Sequence, residues 1–162
     1  VYYGGYVQEA VVLANQWAQS GLDGVVFFGC DGTYGEDFIK RTGANGEGAY
    51  AVALIPAASD AVTKFNDTYQ TKFGSAAGSL SPYTWNAYDS ASVLVAAIKK
   101  VAFKGDDGSL NIPRGALVDA VRTTKDFQGL SGMLSCDSVG ECNASGPIFY
   151  IVKDGQWVPV EN

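Results

Sequence analysis

Residues 25–32, VVFFGCDG, are the stretch from which the fold of this chain can first be inferred. Four apolar residues, two β-branched and two aromatic, predict a short strand over 25–28, of the kind that is buried on both faces of a parallel sheet. A glycine-rich turn, GCDG (29–32), follows directly and carries a carboxylate, Asp31. The sequence therefore places a charged group at the carboxyl end of an apolar strand.

The segments on both sides of this strand alternate between strands and helices. VYY (1–3) reads as the end of a strand, and apolar residues on one face predict a helix over 7–20. Residues 34–42 can form a short helix, and AYAVALI (49–55) predicts another strand. This β-α-β-α-β order predicts a doubly wound α/β sheet.

The middle of the chain contains helices without strands between them. Apolar periodicity predicts helices over 59–73 and 85–101, KGDDGS (104–109) reads as an exposed loop, and Pro113 opens a third helix. Three helices in series cannot bury their apolar faces on so small a sheet. We expect them to cover a different sheet, most of which this chain lacks.

The last part of the chain returns to β structure. GLSGMLSC (129–136), PIFYIVKDG (147–155) and QWVPV (156–160) read as short strands, with Asp154-Gly155 as a two-residue hairpin turn.

Composition limits the function. The chain has 162 residues, enough for one ordinary domain, and a net charge of −6, which argues against nucleic acid or an anionic membrane surface as a partner. It has no histidine, so it cannot build a Ser-His-Asp triad or a histidine-ligated metal site. The chain begins as if inside a strand, and we expect it to be a fragment or a processed product.

The three cysteines leave two interpretations open. In SCDSVGEC (135–142), a hairpin turn can bring Cys136 and Cys142 within bridging distance, which favours an exported protein with Cys30 unpaired. A bridge across so short a loop contributes only about 2 kcal/mol. The alternative is a pair of reduced thiols in a cytosolic protein.

The candidate site lies where two strands end in glycine turns. Ligands of doubly wound sheets bind at the carboxyl ends of the strands, so Tyr6 and Asp31 are expected to face one crevice if their strands are adjacent. The spacing of GCDGTYG does not fit a dinucleotide loop, and a carboxylate there would repel phosphate. A single carboxylate suits a small organic ammonium better than Ca²⁺. The alternative is that Asp31 caps the helix starting near Thr33.

Four other residues are weaker candidates for the site. Tyr34 can approach the crevice or pack on the surface or against a helix, and Glu47 is expected to mark only the start of a strand. In the helix over 85–101, we expect Tyr88 to be a core residue and Asp89 to be solvated.

Six stretches, in order, carry a resemblance to one family: VYYGGYVQEA, QSGLDGVVFFGCDG, GEGAYAV, FNDTYQTKFG, YTWNAYDSASVLVAAIKK and FQGLSGMLSCDSVGE followed by IFYIVKDGQWV. Over nearly its whole length the chain resembles the C-terminal half of type I periplasmic solute-binding proteins, in the branched-chain amino-acid branch of the ABC transporters.

This resemblance implies a fold of two α/β lobes with the ligand in the cleft between them. Residues 1–56 are then a β-α-β segment of the second lobe, 57–126 are helices returning to the first lobe, and 127–162 are C-terminal strands of the second lobe. The N-terminal half, with most of the first lobe, is expected to be absent.

The resemblance also implies roles for residues. Tyr6 matches a tyrosine that lines the cleft, and Asp31 matches the acidic residue, often glutamate, that pairs with the α-ammonium of the ligand. Cys30 departs from the family pattern and has no assigned role. It is nevertheless included with Tyr6, Asp31 and Tyr34 among the candidate ligand-binding residues.

The function implied is capture of an amino acid, branched-chain or similar, by the extracytoplasmic component of an ABC importer. Its expected partners are a membrane permease and either the absent N-terminal half or another copy of the chain. No cofactor is expected. The expected location is the periplasm or the outside of the cell, with a lipid anchor as one option. A ligand-sensing domain of the same fold is the alternative. The third functional class is an enzyme. The sequence argues against it because it shows neither a nucleophile–base pair nor a cofactor loop.

Overall fold

The computed structural model describes residues 1–17, 19–22, 24–143 and 146–160 of the chain. The chain divides into two compact units. Unit 1 comprises Val1–Ile55, Thr68–Tyr83 and Gly146–Asn162, and unit 2 comprises Pro56–Asp67 and Thr84–Ser145. The helices are α1 (Val7–Trp17), α2 (Glu36–Thr42), α3 (Asp60–Phe73), α4 (Thr84–Val101) and α5 (Arg114–Arg122). The strands are β1 (Tyr2–Tyr3), β2 (Phe28–Gly29), β3 (Tyr50–Ala53), β4 (Phe103–Lys104), β5 (Leu110–Asn111), β6 (Phe127–Gln128), β7 (Met133–Leu134), β8 (Ile148–Lys153) and β9 (Gln156–Pro159).

Unit 1 is built on a five-stranded sheet in the order β1-β2-β3-β8-β9. The first three strands run parallel, β8 runs antiparallel to β3, and β9 runs antiparallel to β8. The predicted α/β class is confirmed, with a mixed rather than purely parallel sheet. Since β1 and β2 are adjacent and parallel, their carboxyl ends lie at the same edge of the sheet.

The core of unit 1 is made by α1, α2 and the sheet. Ala10 and Ala14 of α1 are buried with Phe27, Phe38 and Val152. The ring of Phe27 stacks on Phe38, with centroids 6.2 Å apart. Helix α1 has its predicted amphipathic face but ends at Trp17, earlier than the predicted residue 20; Ala18 lies outside the described residues.

The predicted strand over 25–28 is largely wrong. Strand β2 covers only Phe28–Gly29, and the side chains of Val25 and Val26 are 41% and 50% exposed. The backbone of Val25 is engaged elsewhere: its N–H donates to Leu22 O at 3.1 Å, and its carbonyl accepts from Trp17 Nε1 at 3.2 Å. These turn and side-chain contacts replace a sheet ladder at this position.

The predicted hairpin between β8 and β9 is confirmed. Asp154 and Gly155 both have positive φ, 52° and 67°, as a type I′ turn requires. The carboxylate of Glu47 accepts hydrogen bonds from the N–H groups of Asp154 at 2.8 Å and Gly155 at 3.2 Å. Glu47 therefore stabilises this hairpin turn, in addition to lying just before the start of β3.

Unit 2 is mainly helical. Helix α4 packs against α5, and two short antiparallel hairpins, β4–β5 and β6–β7, complete the unit. The predicted loop over 104–109 is the turn of the β4–β5 hairpin at 105–109, whereas Lys104 belongs to β4. Residues 127–143 also belong to unit 2.

The expected environments of Tyr88 and Asp89 are exchanged in the structure. Asp89 is only 2% exposed, whereas Tyr88 is 50% exposed. The Asp89 carboxylate accepts hydrogen bonds from Leu130 N at 2.7 Å, Ser131 N at 2.7 Å and Ser131 Oγ at 2.6 Å. Three donors replace the water that a buried carboxylate loses, so the solvated position predicted for Asp89 is wrong.

A disulfide joins Cys136 and Cys142 in unit 2, with Cα atoms 3.8 Å apart, and Cys30 is free. The two bridged residues also form an isolated antiparallel β-bridge. Within the described residues, no helix is both long and apolar enough to cross a membrane.

Candidate functional site

The two glycine turns that end β1 and β2 pack closely together. A Cβ atom on Gly32 would lie 2.7 Å from Gly5 O, too close for any side chain. The N–H of Cys30 donates to Tyr3 O at 3.0 Å, and its Sγ donates to Gly5 O at 3.2 Å. Glycine at position 32 is therefore needed for the approach of the two turns.

Asp31 lies at this junction, half-buried, at the start of a single 3₁₀ turn, Asp31–Thr33. Its Oδ1 accepts from the neighbouring Gly32 N at 3.0 Å, and its Oδ2 accepts from the hydroxyl of Tyr83 at 2.6 Å. No lysine or arginine in the described part of the chain forms an ion pair with Asp31.

The alternative role of Asp31 as a helix cap does not match this geometry. The N-cap of the 3₁₀ turn is Cys30, and the N-cap of α2 is Gly35; neither makes a side-chain cap hydrogen bond. A capping carboxylate would accept from an N–H two or three residues ahead. The Asp31 carboxylate instead bonds its immediate neighbour and a distant tyrosine.

Tyr83 also belongs to this site, although no local sequence pattern singles it out. It stands in SPYTW (81–85), just before α4, and its backbone N–H donates to Ser81 Oγ at 3.2 Å. Burial, and then the hydrogen bond to Asp31 and its charge, raise the pKa of the Tyr83 hydroxyl. The sequence offers only a general signal, an aromatic residue after a proline in a loop before a long helix, since loops often carry binding residues.

Tyr6 lies beside the same junction. Its side chain is 74% exposed, and a Cβ atom on Gly32 would lie 3.1 Å from Tyr6 Cδ1. The structure thus brings Tyr6 next to the turn that carries Asp31, as the adjacency of β1 and β2 predicts. An exposed ring at this edge of the sheet is available to contact a ligand.

Tyr34 packs into unit 1. Its ring centroid lies 4.7 Å from that of Tyr150 and 5.4 Å from that of Trp157. Burial, helped by Tyr150, raises the pKa of Tyr34 to about 12. The hydrogen bonds of Asp31 involve other residues, so the geometry favours the packing interpretation of Tyr34 over a contact with ligand.

The site combines the carboxylate of Asp31, the hydroxyl of Tyr83 and the exposed ring of Tyr6. Among the described residues, no group of three or more histidine, cysteine, aspartate or glutamate side chains is placed to hold a metal ion. A carboxylate with free lone pairs, a phenol and an exposed aromatic ring can accept hydrogen bonds from a small cation and cover an apolar group.

Comparison with known proteins gives one family and several similar folds. A family model described as periplasmic binding protein matches residues 1–159. The leucine-binding protein LivK of Thermotoga maritima has 26% identity and a TM-score of 0.78, with 99% of this chain and 43% of that chain covered. No curated protein is significantly similar to the chain.

Two further solved structures show a likeness of fold. The branched-chain amino acid transporter substrate-binding protein LivJ of Streptococcus pneumoniae, in complex with isoleucine, has 24% identity and a TM-score of 0.75, covering 98% of this chain and 44% of that one. An ABC transporter substrate-binding protein of Desulfitobacterium hafniense, in complex with Leu, has 15% identity and a TM-score of 0.70, covering 98% and 43%. The chain thus spans less than half the length of these proteins.

Proposed function

The chain belongs to the periplasmic binding protein family, and we propose from this membership and from Asp31 that it supplies the ammonium-binding side of an amino-acid site. The family resemblance and the type I fold predicted from the sequence are confirmed. The observation that carries the proposal is the position of Asp31. Its carboxylate lies at the carboxyl end of β2, next to the end of β1, without a cationic partner in the described residues.

An amino acid suits this site for a physical reason. A zwitterion offers one cation and one anion, and a site that pairs with both accepts only a correctly oriented ligand. In this proposal Asp31 receives the ammonium and Tyr6 covers the aliphatic part, while groups outside this chain hold the carboxylate. A two-lobe protein then closes only on such a ligand, because the ligand stabilises the closed form.

The physiological role follows from the family. We propose that the protein delivers its ligand to an ABC permease, that it works outside the cytoplasm, and that it binds its ligand without converting it. The disulfide between Cys136 and Cys142 supports a location outside the cytoplasm, since such bonds persist in oxidising compartments. The chain would pair with the remainder of a two-lobe protein or with another copy of itself.

Substitution of Asp31 tests the proposed site. In the full-length protein, Asp31→Asn should weaken binding of L-leucine by about 2 to 5 kcal/mol, the usual cost of losing one member of a desolvated charge pair. Isothermal titration calorimetry measures the change. L-leucine is the probe because two of the similar solved structures are described as leucine-binding or leucine-bound.

The matched control is Asp37→Asn, which removes the same charge from an exposed position in the first turn of α2. It should leave leucine affinity within about 0.5 kcal/mol of the wild type, as expected for an exposed surface charge. Equal affinities of the two variants for leucine would show that Asp31 does not receive the ammonium.

A further inference from the structure

The Asp31 carboxylate is held through both of its oxygens. Gly32 N donates to Oδ1 at 3.0 Å, and the Tyr83 hydroxyl donates to Oδ2 at 2.6 Å. A carboxylate offers about four lone-pair sites, so two remain for another donor. The backbone bond is local, whereas the bond from Tyr83 joins residues that are 52 positions apart in the chain.

We propose that Tyr83 is a positioning residue, whose hydroxyl fixes the Asp31 carboxylate in the orientation that receives a ligand ammonium. This inference rests on the proposed function, because it takes Asp31 as the ammonium partner. It adds that the strength of this pairing depends on a residue beyond the turn that carries Asp31.

The surroundings of Tyr83 suit this role. Pro82, directly before Tyr83, is buried, and the Tyr83 N–H donates to Ser81 Oγ at 3.2 Å, so the backbone is held on the N-terminal side of Tyr83. Because burial raises the pKa of Tyr83, its hydroxyl keeps its proton and stays a donor over the physiological pH range. A hydrogen bond to a charged acceptor is stronger than one between neutral groups.

Fixing the carboxylate before binding increases affinity. An unfixed Asp31 side chain would lose rotamer freedom when the ligand arrives, and this loss would weaken binding. With the carboxylate already held by Tyr83, less ordering remains at the moment of binding. The benefit applies to the ammonium contact alone, so it should disappear when Asp31 loses its charge.

A double-mutant cycle in the full-length protein tests this dependence. Tyr83→Phe removes the hydroxyl and keeps the ring, and it should weaken L-leucine binding about five- to tenfold, the effect of having to order one side chain on binding. Added to Asp31→Asn, the same change should weaken binding less than about twofold, since no charged carboxylate remains to be positioned. Titrations followed by NMR reach the millimolar affinities expected of the weaker variants.

Tyr50→Phe is the matched control. Tyr50 lies in β3 of the five-stranded sheet, and its ring stacks on Phe28 with centroids 6.1 Å apart. Among the described residues, its hydroxyl has no hydrogen-bond partner. Its loss should change leucine affinity less than about twofold. A rescue variant with 4-aminophenylalanine at position 83 keeps an N–H donor and should bind leucine within about threefold of the wild type.

Each outcome decides between the two claims. If Tyr83→Phe costs the same with and without Asp31→Asn, or if it prevents folding, the positioning role is overturned and the hydroxyl is structural, while the proposed function stands. If the rescue variant binds leucine as weakly as Tyr83→Phe does, the hydrogen bond to Asp31 is not the cause of the affinity loss, and the positioning role is again overturned. If Asp31→Asn alone has no effect, the proposed function fails first.

Discussion

At the residue scale, the least expected arrangement is the buried carboxylate of Asp89. Helical periodicity places it next to Tyr88 and says nothing of the loop that supplies its three hydrogen bonds, 41 and 42 residues further along the chain. A Cβ atom on Gly129 would lie 2.5 Å from Asp89 Oδ2, so this loop approaches the carboxylate only because that position is glycine. Asp89 therefore ties the segment after β6 to helix α4.

Asp89→Asn should destabilise the protein by about 1 to 3 kcal/mol, because the amide NH₂ would face backbone N–H groups and leave buried donors unpaired. Thermal unfolding followed by circular dichroism measures the loss. Asp106→Asn, in the exposed β4–β5 turn, is the control and should have no such effect. Matching melting temperatures for the two variants would mean that the three hydrogen bonds contribute nothing net.

At the element scale, the loop between Cys136 and Cys142 is held by more than its disulfide. The carboxylate of Asp137 accepts hydrogen bonds from the N–H groups of Val139 and Glu141, both at 2.9 Å. The N–H of Asp137 donates to Glu141 O at 2.8 Å. These short-range bonds form a turn within the loop that the disulfide closes.

We expect the isolated protein to show one reactive thiol, that of Cys30, when it is denatured without reductant. The other two cysteines should react only after reduction, which raises the count to three. Titration with a thiol reagent gives both numbers. Three thiols before reduction would indicate a reducing compartment and remove one support for a location outside the cytoplasm.

At the scale of the whole molecule, helix α4 exposes a row of apolar side chains. Tyr88 and Val95, seven residues and two turns apart on the same side of the helix, are 50% and 49% exposed. Apolar surface of this kind on a helix usually marks an interface. The chain spans about 43% of the length of the leucine-binding protein it resembles. Further protein segments in a larger assembly could therefore cover this face of α4.

The 162-residue chain on its own should therefore associate with itself and bind L-leucine weakly or not at all. Light scattering on a sizing column gives the mass, and calorimetry gives the affinity. Val95→Lys should reduce the association, because it places a charge on the exposed face that Val95 shares with Tyr88. The control Leu80→Lys changes a residue that is 85% exposed but lies outside α4, and it should not. A monomer that binds leucine with micromolar affinity would contradict both expectations.

The sequence by itself determined the features that depend on short-range patterns. Apolar periodicity located α1, α3, α4 and α5, and the turn chemistry of Asp154-Gly155 located the β8–β9 hairpin. The glycine turns after β1 and β2 indicated where a site would lie, and ordered family-like stretches indicated the fold. Boundaries were less accurate: β2 was displaced because Val25 is held in a turn and by Trp17.

Only the tertiary structure decided which side chains meet. The partner of Asp31 is 52 residues away, the partners of Asp89 are more than 40 residues away, and the ring of Tyr34 packs on Tyr150 and Trp157 from the last strands. Local pattern cannot predict such pairs, because they form where the topology of the sheet and helices brings distant segments together. Burial then fixes them, since a polar group removed from water must find a partner wherever the fold supplies one.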